Sequence, residues 1–202
     1  MAARLLPAHV RTRAPGDGNL TTARLGEFSR IRYGLRAVTP EARIRAFEPS
    51  DLDAVIELSL RAWEPVFESL RQVLGDAIFA RLHDPDWRAA QAEAVRSTCV
   101  SDDLEVFVAI VDDLPVGFAA VALNAFHERM GVVDMIAVDP PYQRRGIAKE
   151  LMDRSIAHMR DRGMDIAAVG TGGDRGHAPA RAVYESLGFT ALPGVRYLKL
   201  LE

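Results

Sequence analysis

"IAVDPPYQRRGIAKELM", residues 136–152, passes from an apolar run to a run with helical spacing through two prolines, two arginines and a glycine. Beyond the glycine, Ala148, Leu151, Met152, Ser155, Ile156 and Met159 recur with the period of one helix face, which predicts a helix from Gly146 to about Met159. Lys149, Glu150, Asp153 and Arg154 take the outer face, with Glu150 and Arg154 in the favourable i,i+4 order. The first N–H groups of any helix lack internal partners and carry the positive end of its dipole, so such a start attracts anions. Gly146 lets an anion approach the backbone. Arg144 and Arg145 add charge suited to phosphate oxygens, and Gln143 can donate too. A solvated basic turn is the plain alternative for the same residues.

The flanking pattern supplies a fold class. "RIRAFEPSDLDAVIEL" alternates like a short strand and then opens a helix, with Ser50 and Asp53 spaced as a capping box. Further helical pieces follow, broken at Gly75, and a clearer start comes at "DPDW", where Asp84 is placed to cap. After Cys99 the period becomes strand-like. "LEVFVAIV" and "VGFAAVALNAF" are joined by a short turn as an antiparallel hairpin, and "GVVDMIAV" follows. Beyond the Gly146 helix come the strand "MDIAAVGT", a glycine-rich loop, the short helix "ARAVYESL", and "GFTALPGVRYLKL", read as final strands. This order implies an α/β mixed sheet, mostly antiparallel, with helices on both faces.

Composition narrows the class of partner. The chain has 202 residues with 49% hydrophobic and 26% charged content, which suits one globular core. Residues 1–36 hold seven arginines against Asp17 and Glu27, about +5, so the net charge of -3 leaves about -8 on the rest. An organelle transit peptide and a nucleic-acid arm are alternatives for that leader. The absence of any sustained period points instead to a disordered extension over residues 1–40. An acidic body argues against nucleic acid as partner. No apolar stretch reaches the roughly 20 residues of a membrane span, and the expected location is cytoplasmic. The lone Cys99 reads as a small apolar side chain. Five scattered histidines give no metal signature. "GTGGDRG" has Arg175 where a dinucleotide loop needs its last glycine.

The strand, the Asp-Pro pair and Gln-x-x-Gly-x-Ala together resemble the acyl-CoA-binding motif of the GNAT superfamily of N-acetyltransferases. About thirty residues on, "HAPARAVYESLGF" resembles the family's later motif, and the resemblance covers roughly residues 43–202. It implies a GNAT fold and acetyl-CoA as co-substrate. The cofactor would lie along Ile136, Ala137, Val138, Gln143, Arg144, Arg145, Gly146, Ile147, Ala148 and Lys149, with His177 standing where the family often has asparagine. It places Tyr184 as general acid and Asp134 on the strand where the family often carries an acidic residue, with His127 as its rival. The family's early helices shape the acceptor pocket, which makes Trp63 and Phe67 candidate substrate contacts.

The chemistry sets requirements. A primary ammonium with pKa near 10.4 costs about 4.6 kcal/mol to be neutral at pH 7. An aspartate of ordinary pKa is a poor direct base, so Asp134 is expected to bind the ammonium or order a relaying water. The resemblance implies that the oxyanion meets a strand N–H, that of Ala137, where the family's sheet splays at a bulge. The expected reaction is direct acetyl transfer to a primary amine of a small molecule or peptide, without a covalent enzyme intermediate. A non-catalytic acyl-CoA-binding module is the alternative, and a homodimer is left open.

Overall fold

The structure is a computed structural model that describes residues 41–83 and 86–201. The expected extension over residues 1–40 lies outside them. Among the described residues, five strands form one sheet in chain order: β1 (Arg43–Ala46), β2 (Leu104–Val111), β3 (Leu114–Leu123), β4 (Met130–Val138) and β5 (Ile166–Val169). The first four are antiparallel neighbours, and β5 lies parallel to β4. The mixed, mostly antiparallel sheet is therefore as expected. Among the same residues, four α-helices accompany it: α1 (Leu52–Leu82), α2 (Trp87–Cys99), α3 (Ile147–Asp161) and α4 (Ala178–Ser186).

The strands β2 and β3 are nearly continuous apolar runs because both faces are covered. On one face α3 and α4 pack over Phe107, Val121, Val133 and Val138. On the other, α1 and α2 pack over Val108, Ile110, Phe118 and Ala137. Phe107, Phe118, Leu58 and Leu151 are among the largest fully buried side chains, each worth about 1.5–3 kcal/mol of burial.

Several local expectations change. The cap at the first helix is set by Glu48 and Asp51, not Ser50 and Asp53, because Asp51 accepts from the Glu48 amide and is gripped by Arg45 at 2.6 and 2.8 Å. The break at Gly75 occurs, with φ 75° and ψ 158° inside α1. Asp86 caps α2 by accepting from the Arg88 amide; Asp84 falls outside the described residues. On α3 the ion pair forms between Lys149 and Asp153, while the Arg154 guanidinium lies 4.5 Å over the Phe107 ring rather than reaching Glu150. The expected final strands are absent. Residues 190–201 form neither strand nor helix and are exposed.

Candidate functional site

The parallel pairing of β5 with β4 ends at Val133, so among the described residues β4 from Asp134 onward has no strand on that edge, which leaves a wedge there. The pairing with β3 slips at the same place. Ala120 faces Met135 and Val121 faces Val133, which leaves Asp134 as the extra residue of a bulge. The slip resets the alternation. Val133, Ile136 and Val138 look toward α3, whereas Met135 and Ala137 look toward α1 and α2. Val132 and Ile136 therefore do not share a face, and Asp134 is not aligned with both as expected; it is exposed at the mouth of the wedge.

The direction of the backbone amides follows from their bonds. Asp139 N donates to Val116 O on β3, and the Ala137 carbonyl also faces β3, 3.0 Å from where a Cβ on Gly117 would lie. Consecutive strand amides point to opposite edges, so Ile136 and Val138 N–H face the wedge and Ala137 N–H does not. The Ala137 amide, expected to face the wedge, instead points toward β3, because the bulge sits at Asp134 rather than beside Ala137.

At the end of β4 the chain turns through Pro140–Tyr142 into α3. Gln143 Nε2 donates to Val138 O at 2.9 Å, which ties the loop to the strand and occupies the side chain expected to reach a ligand. Arg145 donates to Pro141 O at 2.8 Å and lies over the Tyr142 ring, so it braces the turn. Arg144 is exposed, with φ 59°. Gly146 is the N-cap at φ 89°, a left-handed conformation that favours glycine, and it supplies no side-chain cap. The amides of Gly146, Ile147, Ala148 and Lys149 have no acceptor among the described residues; the first helical bond runs from Glu150 N to Gly146 O at 3.1 Å. A Cβ built at Gly146 would meet only Glu150 Oε1, at 3.8 Å. Open space in front of four unpaired amides suits a diphosphate. Ile147 itself is buried as the hydrophobic anchor of the helix start.

Two attachments hold this turn and its neighbour, and local spacing gave no hint of either. Arg61 on α1 grips the buried Asp139 through two hydrogen bonds of 2.9 Å. On the loop before α4, Gly176 N donates to Ser69 Oγ at 3.0 Å, and His177 Nδ1 lies 2.5 Å from Asp174 Oδ1. Burial alone would raise the Asp174 carboxyl, but hydrogen bonds from Ser69, His177 and the Gly176 amide outweigh it and hold it below the usual range. One ring nitrogen of His177 is thereby occupied. Arg181 on α4 closes the loop by donating to Gly172 O and Asp174 O.

Tyr184 is buried in the same cluster as Val138 and Ile147, with Ile136 and Ala148 packed against it. The structure thus brings the motif on β4–α3 and the motif on α4 together. Burial pushes the Tyr184 hydroxyl up to about 12. His127 is elsewhere. It lies in the loop before β4, separated from Val138 by the whole strand, roughly 26 Å at 3.3 Å per residue. Trp63 is half-buried against Phe118, and Phe67 is buried and stacked on Trp87 at 4.2 Å, so both have packing roles in the helical layer. Burial raises the Cys99 thiol to about 11, which makes it unreactive, as expected of an apolar filler.

Residues 60–189 match the model of the acetyltransferase (GNAT) family. The chain belongs to the GNAT acetyltransferase family. Members of this family use acetyl-CoA. Among similar proteins, mycothiol acetyltransferase from Thermomonospora curvata is 35% identical over 105 residues, 52% of this chain and 32% of that protein. The chain therefore spans about a third of the matching relative's length. The ribosomal-protein-S18-alanine N-acetyltransferase from Escherichia coli is 23% identical with a TM-score of 0.55, covering 76% of this chain and 80% of that one. An aminoglycoside N-acetyltransferase solved in complex with CoA is 19% identical with a TM-score of 0.54, covering 82% and 99%. These structures share the fold of this GNAT chain. No helix among the described residues is long and apolar enough to cross a membrane.

Proposed function

We propose that this chain transfers an acetyl group from acetyl-CoA to a primary amine by direct attack. The observation that carries the reading is the row of unpaired amides from Gly146 to Lys149, placed beside a wedge into which Ile136 and Val138 N–H point. Acetyl-CoA would supply an activated thioester. Gly146, Ile147, Ala148 and Lys149 hold its diphosphate through backbone N–H groups, Arg144 adds charge at the rim, and Gln143 and Arg145 keep the turn in shape. The N–H groups of Ile136 and Val138 are aimed where negative charge develops on the reacting carbonyl oxygen.

Asp134, exposed at the bulge, binds the acceptor ammonium or orders the water that takes its proton. His127, in the loop before β4, is the rival for that part. Tyr184 holds the proton offered to the departing sulfur. With its hydroxyl near 12 against about 8.5 for a thiol, complete transfer is uphill by about 5 kcal/mol, so Tyr184 acts as a hydrogen-bond donor more than as a full acid. That burial is also what favours the rival reading, an acyl-CoA-binding module without turnover. The acidic body, about -8 outside the leader, favours a cationic acceptor. His177 shapes the loop before α4 through Asp174, while Trp63 and Phe67 pack within the helical layer.

Thiol release from acetyl-CoA over a panel of amines, with mass spectrometry of the products, tests the proposal. Acetylation of at least one primary amine is expected. Binding of acetyl-CoA with no amine acetylated would leave the rival, and no binding at all would remove both.

A further inference from the structure

Pro65 stands inside α1, and the backbone stays helical through it, non-helical angles occurring only at Gly75. An interior proline destabilises a helix twice over, because its ring crowds the carbonyl four residues back and it has no N–H for that carbonyl to accept. Packing does not require it. Pro65 is exposed, so its ring fills no part of the core. The helix therefore keeps a residue that breaks a local rule, and the result is an Arg61 carbonyl without its helical donor.

That carbonyl lies between the two loops at the open end of the wedge. Arg61 and Ser69 share a face of α1 with Pro65; Arg61 grips Asp139 before α3, and Ser69 Oγ accepts from Gly176 N before α4. The two attachments are about 12 Å apart along the helix axis. Pro65 is midway, and its own carbonyl oxygen is 3.0 Å from where a Cβ on Gly176 would stand. Helical carbonyls point toward the C-terminal end, so Arg61 O points from the Asp139 attachment toward the Gly176 attachment, across the gap. Met135 and Ala137 of β4 look toward the layer of α1 and α2, whereas the unpaired amides of Gly146 to Lys149 belong to α3 on the other face. A coenzyme held from the α3 side leaves the α1 side to the nucleophile. Charge suits an ammonium there. Glu64 and Glu68 flank Pro65 and are exposed; Glu64 pairs with Arg88, while Glu68 accepts from the Gln72 side chain at 3.1 Å and has no cationic partner among the described residues.

We propose that the Arg61 carbonyl, released by Pro65, accepts a hydrogen bond from the N–H of the amine substrate, with Glu68 supplying the negative charge that draws a cationic acceptor to it. The inference rests on the acetyl-transfer reading and deepens it, since it makes the acceptor a primary ammonium that gives one N–H to α1. A carbonyl takes up no proton. Its part is to orient the nitrogen, so that once the amine is neutral the lone pair faces the thioester carbon.

Pro65→Ala in the full chain tests it, because alanine returns an N–H to the Arg61 carbonyl and leaves every other side chain in place. With the best amine of the panel, KM for the amine should rise by about tenfold or more, while acetyl-CoA affinity by calorimetry stays within about twofold and the melting temperature rises. Glu68→Gln should raise KM for the same amine by about threefold, and by less at high salt. Val73→Ala, at an exposed site on α1, should change neither constant. An amine KM untouched by Pro65→Ala would overturn the proposal. So would a melting temperature that falls together with both affinities, since Pro65 would then only shape the helix. Failure of the acetyl-transfer reading looks different: the wild-type chain then acetylates no amine, and this inference falls with it.

Discussion

Arg61 on α1 holds Asp139 at the end of β4 through two hydrogen bonds of 2.9 Å, and so fixes the turn that feeds the N-terminus of α3. The carboxylate is buried and the guanidinium half exposed. Replacing Arg61 by Ala leaves a buried charge unpaired. Since solvent screens the pair from the arginine side, the expected loss is about 2 kcal/mol, less than for a fully buried pair. Chemical denaturation should show that loss, and calorimetry should show weaker acetyl-CoA binding because the amides lose their fixed direction.

Gly146→Val asks a β-branched residue to adopt φ 89° and places methyl groups before the four unpaired amides. Left-handed backbone costs a non-glycine residue about 1–2 kcal/mol. The protein should still fold, since only Glu150 approaches the new Cβ. Acetyl-CoA affinity should fall at least tenfold, read by calorimetry. An unchanged affinity would place the diphosphate elsewhere.

Tyr184→Phe keeps the ring among Val138 and Ile147 and removes only the hydroxyl. Thermal stability should change little. Turnover should drop by about 10- to 100-fold with acetyl-CoA affinity within twofold of wild type. Because the raised hydroxyl keeps its proton up to about 12, the wild-type kcat should show no descending limb from Tyr184 below pH 10.

His158 on α3 lies beside the Phe107 ring, and burial lowers its pKa, with Glu105 acting in the opposite direction; His83 is lowered by burial too. His158 Nε2 has no hydrogen-bond partner among the described residues. A histidine whose folded pKa is depressed contributes stability above its unfolded value of about 6.5 and loses it as pH falls through the folded one. Melting temperature should therefore decline on acidification from pH 7 to pH 5. His158→Gln, which cannot charge, should shrink that decline. A pH-independent melting temperature over this range would contradict it.

Local rules made the two family motifs legible. The helical period of residues 147–159, the glycine before it and the apolar runs of β2 to β4 each announce their element, because burial on one helix face or two sheet faces leaves a pattern in neighbouring residues. The Gly75 break was readable from the residue itself, since glycine adopts φ 75° without a side-chain clash. Register was not. Whether Ile136 or Ala137 aims its amide into the wedge depends on where β4 slips against β3, and a bulge at Asp134 turns every later residue over without altering the pattern of residue types.

What the sequence determined by itself is thus the kind of each element up to α4 and the chemistry of the α3 start, since spacing and residue type act over one or two turns. Only the tertiary structure decided which groups meet. Arg61 finds Asp139 across 78 positions, and Ser69 finds Gly176 across 107, because packing brings α1 to both loops at once. The C-terminal run reads as a strand from its residues alone. A strand exists only with a neighbour to bond, and whether residues 190–201 have one is set by what lies beside β5.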